Sequence, residues 1–198
     1  MTDSTTFRPR SARVTAVAVL VLAVGGALAH ALADGPRAAA PTLGLATLAC
    51  VVAVTAYWRP CVRVSDDTVE VVNVLSTVTI PLARVAHVDT RWALEIELDT
   101  GRKVSAFAAP APGTYRARNF RVEDLRGLPE DTYARGSVRV GDSPGTASGD
   151  AALLVRTALG KWRASKKVDA TIVARQPHLV AAVALAIGLG AAIAGFVL

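Results

Sequence analysis

The chain is poor in the residues that most enzymatic and metal chemistry requires. Its 198 residues include two cysteines, three histidines and one methionine, and only 5% are aromatic. Two cysteines cannot build a disulfide framework. Cys50 falls inside an apolar run and Cys61 just after it, so both read as small apolar residues in a reducing compartment. His30, His87 and His178 are too scattered to suggest a metal site: the first and last read as interfacial anchors, and His87 as a strand-surface residue. HExxH, paired Cys-x-x-Cys, P-loop, G-x-S-x-G and Gly-rich dinucleotide patterns are all missing. The expectation is therefore a protein that is not an enzyme and needs no cofactor.

What the chain has in quantity is apolar sequence, 52% of residues. A helix rises about 1.5 Å per residue and the hydrocarbon layer is about 30 Å thick, so about 20 apolar residues cross it. Residues 14–33, 38–57 and 178–198 meet that length without a Lys, Arg, Asp or Glu among them. Asp34-Gly35-Pro36-Arg37 is too short to do more than reverse the chain, which predicts a transmembrane helical hairpin. The basic stretch Arg8, Arg10 and Arg13, together with Ala31-Leu32-Ala33, also fits a cleaved secretory signal, but the apolar run is long for one. Cysteine 50 follows Thr47-Leu48-Ala49, a faint lipoprotein box discounted by its position in mid-span.

Basic residues set the expected orientation. Eighteen of the 22 Lys and Arg residues lie between Trp58 and Pro177, three precede the first span, and the hairpin tip has only Arg37. The positive-inside rule then places the amino-terminal tail, residues 1–13, and the central region in the cytoplasm, with the carboxyl terminus outside. The central region carries fourteen acidic against its eighteen basic residues, a surplus of four, which membrane proximity explains without nucleic acid.

From Cys61 the apolar period changes from helical to two. Val62, Val64, Val69 and Val71 alternate with polar neighbours around Asp66-Asp67-Thr68, which predicts a hairpin. Thr77 to Ile80, Val85 to Thr90, Ala93 to Leu98 and Arg102 to Phe107 complete six short strands, with a tight turn at Asp99-Thr100-Gly101. Glu95 and Glu97 share one strand face, which reads as solvent exposure and not as an acid–base pair, while Trp92 and Trp162 read as core. Residues 108–149 are rich in Pro and Gly and are expected to be irregular, with one short strand near Val138 to Val140. Ser148 or Asp150 would cap an amphipathic helix over 150–168, with Ala152, Val155, Leu159 and Trp162 on its apolar face.

A helical pair followed by Arg63-Val64-Ser65-Asp66-Asp67-Thr68-Val69, Asn73-Val74, Ile80-Pro81-Leu82-Ala83-Arg84-Val85 and Leu94-Glu95-Ile96-Glu97-Leu98-Asp99-Thr100-Gly101-Arg102 resembles the bacterial PH domain family of small actinobacterial membrane proteins. The resemblance spans about Trp58 to Phe107, so residues 58–107 form the expected domain core. It implies a PH-like antiparallel β-barrel or sandwich with a carboxyl-terminal capping helix. The chain departs from the family pattern at Thr68 and over Leu75-Ser76-Thr77-Val78-Thr79, and its first loop is Asp66-Asp67 where lipid-binding relatives are basic. Headgroup recognition is therefore not carried over to any residue.

The whole reads as a membrane α plus β protein: a hairpin, a PH-like domain and a third transmembrane helix. Trp58, Arg59, Arg63, Lys166, Lys167 and Arg175 are the candidate membrane-interface residues, close enough to the span ends to meet anionic lipid headgroups. Gly188 with Ala192, Gly190 with Ala194, and Ala191 with Gly195 are candidate helix-packing pairs in the third span. The expected role is docking of a membrane or cytoplasmic protein partner at the lipid bilayer. The alternative is an accessory subunit of a membrane transporter or envelope enzyme complex, with the helices carrying the interaction.

Overall fold

Alternating β-branched residues and three long apolar runs divide the chain into two units, residues 1–9 with 61–176 and residues 10–60 with 177–198. The computed structural model describes residues 4–113, 140–165 and 172–197.

The helical unit contains α1 (Arg10–Asp34), α2 (Ala40–Val52, extended by a π-helical stretch Ala53–Trp58) and α4 (Leu179–Val197). All three are long and apolar enough to cross a membrane. The hairpin turns at Gly35, whose φ of 84° suits a residue without a side chain. Polar groups within the apolar helices find partners in the helices themselves, as a membrane-crossing helix would require. Thr47 and Thr55 donate to the carbonyls of Leu43 and Val51 (2.8 and 2.7 Å). His30 Nδ1 shares a 2.6 Å hydrogen bond with Thr42 Oγ1, joining α1 to α2.

The β-rich unit has two antiparallel sheets. One follows the order β1-β2-β3-β4-β8, formed by β1 (Thr5–Phe7), β2 (Cys61–Val64), β3 (Thr68–Val72), β4 (Ser76–Pro81) and β8 (Ala174–Pro177). The other is β5 (Val85–Asp89), β6 (Ala93–Leu98) and β7 (Lys103–Pro110). The period of two sets the faces: Val62, Val64, Val69, Val71, Leu94, Ile96 and Leu98 enter the core. Outward-facing partners pair across strands, Arg63 with Glu70 at 3.2 Å and Lys103 with Glu95 at 3.0 Å.

Asn73 ties the two sheets together. Its carboxamide donates to the Ser105 carbonyl and accepts from the Phe107 N–H, both at 2.8 Å, so one side chain supplies the bonds of a missing strand residue. Helix α3 (Ala147–Ser165) packs Ala151, Ala152, Val155 and Leu159 into the same core, with Trp162 partly buried beside them.

Several elements differ from the sequence reading. Thr5–Phe7, expected within a tail, is a strand paired with β2, with Thr6 opposite Arg63. Three residues are too few to show a period, and their order comes from the partner strand. Strand β8 is likewise unforeseen: all four of its residues are exposed, so it carries no apolar signal. Ala108–Pro110, expected as loop, belongs to β7 because Pro110 pairs with Ala93. The expected strand near Val138 to Val140 falls mostly outside the described residues, and Val140 itself opens a short 3-10 turn. Helix α3 starts three residues before residue 150 because Thr146, not Ser148 or Asp150, is the cap: its Oγ1 accepts the Gly149 N–H at 3.0 Å. Asp150 instead accepts the Gly145 N–H at 2.7 Å.

Candidate functional site

Charge buried in a core must be paired, and among the described residues the β-rich unit buries one ion pair, under the turn between β5 and β6. Arg156 on α3 and Asp142 are each 4% exposed, with Nη1 and Oδ1 2.8 Å apart. Arg156 Nη2 also donates to the Val88 carbonyl on β5 at 2.9 Å, and Thr90 Oγ1 donates to Asp142 Oδ1 at 2.9 Å. Gly141 lies against Thr90 so closely that a methyl group there would collide with the Thr90 carbonyl. This requires Gly on the approaching segment.

The same turn is fixed from its other side. Asp89 Oδ1 accepts the N–H groups of Thr90 and Arg91 at 2.6 and 3.2 Å, and the Trp92 carbonyl accepts the Ala111 N–H at 2.9 Å. The β6–β7 register shifts between Ala93 and Leu94, a bulge that redirects the chain leaving the turn. The product is a rigid support carrying two exposed residues, Arg91 and Trp92, with Trp92 83% exposed. Trp92, expected in the core, is thus on the surface; Trp162 is the one partly buried. No signal in the sequence could assign the first to the surface, because the bonds that hold it out come from Asp142, fifty-two positions after Thr90.

The strands and turn described here lie within the stretch that the comparisons identify. Residues 59–126 match the family model of the bacterial PH domain. The bacterial PH domain match extends past the Trp58 to Phe107 resemblance and includes β2 to β7 with the Arg91–Trp92 turn. No curated protein and no solved structure matches the chain.

Of the expected interface residues, Trp58 and Arg59 belong to the helical unit and Arg63 and Arg175 to the β-rich unit. Trp58 is 44% exposed, with the Arg13 guanidinium 5.6 Å from its ring centre. Arg59 is half-buried next to it in sequence. Arg63 is exposed but engaged with Glu70, and Arg175 is exposed on β8. Lys166 and Lys167 lie outside the described residues.

The candidate packing residues separate by face. Gly188, Ala192 and Gly195 are buried. A methyl group on Gly188 would meet Leu48 of α2 at 3.3 Å, and one on Gly195 would press on the Ala40 carbonyl. Ala191 is half-buried, and its carbonyl lies where a methyl group on Gly44 would sit. Gly190 faces open space and Ala194 is exposed, so that pair is not part of this contact. Among the described residues no group of three His, Cys, Asp or Glu could hold a metal ion.

Proposed function

We propose that this chain is a non-enzymatic integral membrane protein whose bacterial PH domain is a docking module. The observation that carries the reading is the Arg91–Trp92 turn, an aromatic 83% exposed on a support fixed by buried bonds. Covering a large apolar side chain gains about 1.5–3 kcal/mol, and a preorganised anchor loses little entropy when it binds. Trp and Arg are the residue types that dominate interface energetics. The surface suits a protein partner with an apolar pocket edged by a carboxylate for Arg91.

The spans anchor this surface at the membrane. The positive-inside rule supports a cytoplasmic amino terminus and PH domain, with the hairpin tip and the carboxyl terminus outside. Pairing of β1 with β2 supports a shared compartment for the amino terminus and the PH domain, whichever side that is.

A photoreactive residue replacing Trp92 in intact cells tests docking, with Thr100 in the exposed β6–β7 turn as the control position. The expected result is a discrete protein adduct from position 92 and none from 100. Equal adducts from both, or none from either, would count against docking through this turn. Impermeant thiol labelling of Pro36→Cys but not Asp66→Cys in intact cells is expected from the orientation. The accessory-subunit reading draws support from Gly25 and Gly26 on α1, which face open space within the chain. It predicts that joining the spans without Trp58 to Arg175 preserves function.

A further inference from the structure

Within the helical unit, α1 and the end of α2 border an apolar groove of about 650 Å³, inside the usual range of about 300–1,000 Å³ for ligand cavities. Arg13 and Trp58 lie at one end, and Val17, Ala18, Val21 and Leu22 continue along α1. From Arg13 to Leu22 the helix rises about 14 Å, close to half of the roughly 30 Å hydrocarbon thickness. The groove is therefore one leaflet deep, with a cation at the mouth and carbon beneath it.

Charge decides what fits there. Arg10 precedes Arg13 by three residues and shares its helix face, while Arg59 follows Trp58. Residues 4–33 and 38–65 contain no Asp or Glu, and among the described residues no carboxylate forms an ion pair with Arg10, Arg13 or Arg59. The Arg13 guanidinium is held over the Trp58 ring, which orients it at the level where Trp favours the headgroup zone.

We infer that this groove holds one anionic phospholipid, its acyl chain along Val17 to Leu22 and its phosphate on Arg13. The site rests on the reading of α1 and α2 as membrane spans and not on the Arg91–Trp92 surface. It is distinct from any headgroup pocket of the PH domain, since every lining residue belongs to the helical unit.

Native mass spectrometry tests it on the full chain, released in mild detergent from nanodiscs containing equal phosphatidylglycerol and phosphatidylcholine. One retained phosphatidylglycerol per chain is expected. Arg13→Gln should lower that retention about fivefold, the effect of about 1 kcal/mol per basic group at an anionic surface. Ala18→Phe should block the groove and lower retention with Arg13 intact, whereas Val183→Phe on lipid-exposed α4 should not. Equal retention of both lipids, or retention unaffected by both groove substitutions, would overturn the proposal. So would a dimer that Ala18→Phe dissociates, which would show a second copy seated in the groove. Recovery of folded Arg13→Gln, judged by unchanged helical circular dichroism, separates lost binding from lost structure.

Discussion

Space between elements is filled in the β-rich unit by large side chains and removed in the helical unit by small ones. Ile80, Leu82, Leu94, Ile96 and Leu159 are almost wholly buried between sheets and helix, and the Arg156–Asp142 ion pair is buried in the same unit. In the helical unit the buried positions include Ala16, Ala27, Gly44, Gly188, Ala192 and Gly195, while Leu22, Leu32 and Val180 face outward. Water expels apolar surface into a core, so size is rewarded there. Lipid is as apolar as leucine, so helices that cross a membrane would gain from close approach while bulky residues face outward. Large residues thus lie inside the β-rich unit and outside the helical one.

Substitutions that exchange these strategies test the contrast. The largest effect is expected from Asp142→Ala, which removes the carboxylate facing buried Arg156 and should cost about 3–5 kcal/mol. Hydrogen exchange in the full-length protein should show β5 and α3 amides losing protection together. Leu159→Ala is expected to cost about 3 kcal/mol through the cavity it leaves, read in the same amides.

A smaller change carries the converse test. Gly44→Ala adds one methyl group where the Ala191 carbonyl already sits, and should cost about 1–3 kcal/mol by forcing α2 from α4. Disulfide trapping between cysteines placed at Leu48 and Gly188 would fall. Gly25→Ala, with nothing within 4 Å, should leave that trapping unchanged. Trp92→Ala should shift stability by no more than about 0.5 kcal/mol while removing the proposed docking anchor. A large loss of stability there would recast Trp92 as structural.

The strands from Cys61 to Phe107 were legible because alternating Val, Ile and Leu encode a face directly. The spans were legible because length against bilayer thickness is a local property. Strand β1 was not, since Thr5-Thr6-Phe7 has order only through Val62 and its neighbours. Nor was the choice among three small-residue pairs, because the rotation of α4 against α2 decides which face is used. The candidate docking turn was hidden for a related reason: Arg91 and Trp92 are adjacent in sequence, but the bonds that expose them run to Asp142 and Ala111.

Pairing of Thr5–Phe7 with Cys61–Val64 also imposes a timetable on biosynthesis. The first strand leaves the ribosome long before its neighbour, with the whole hairpin translated in the interval, several seconds at roughly 5–20 residues per second. Ala174–Pro177, at the opposite edge of that sheet, is made later still, immediately before the last helix. The five-stranded sheet therefore closes only after the hairpin has been synthesised, and an arrested hairpin leaves an unpaired edge open to chaperones or to aggregation.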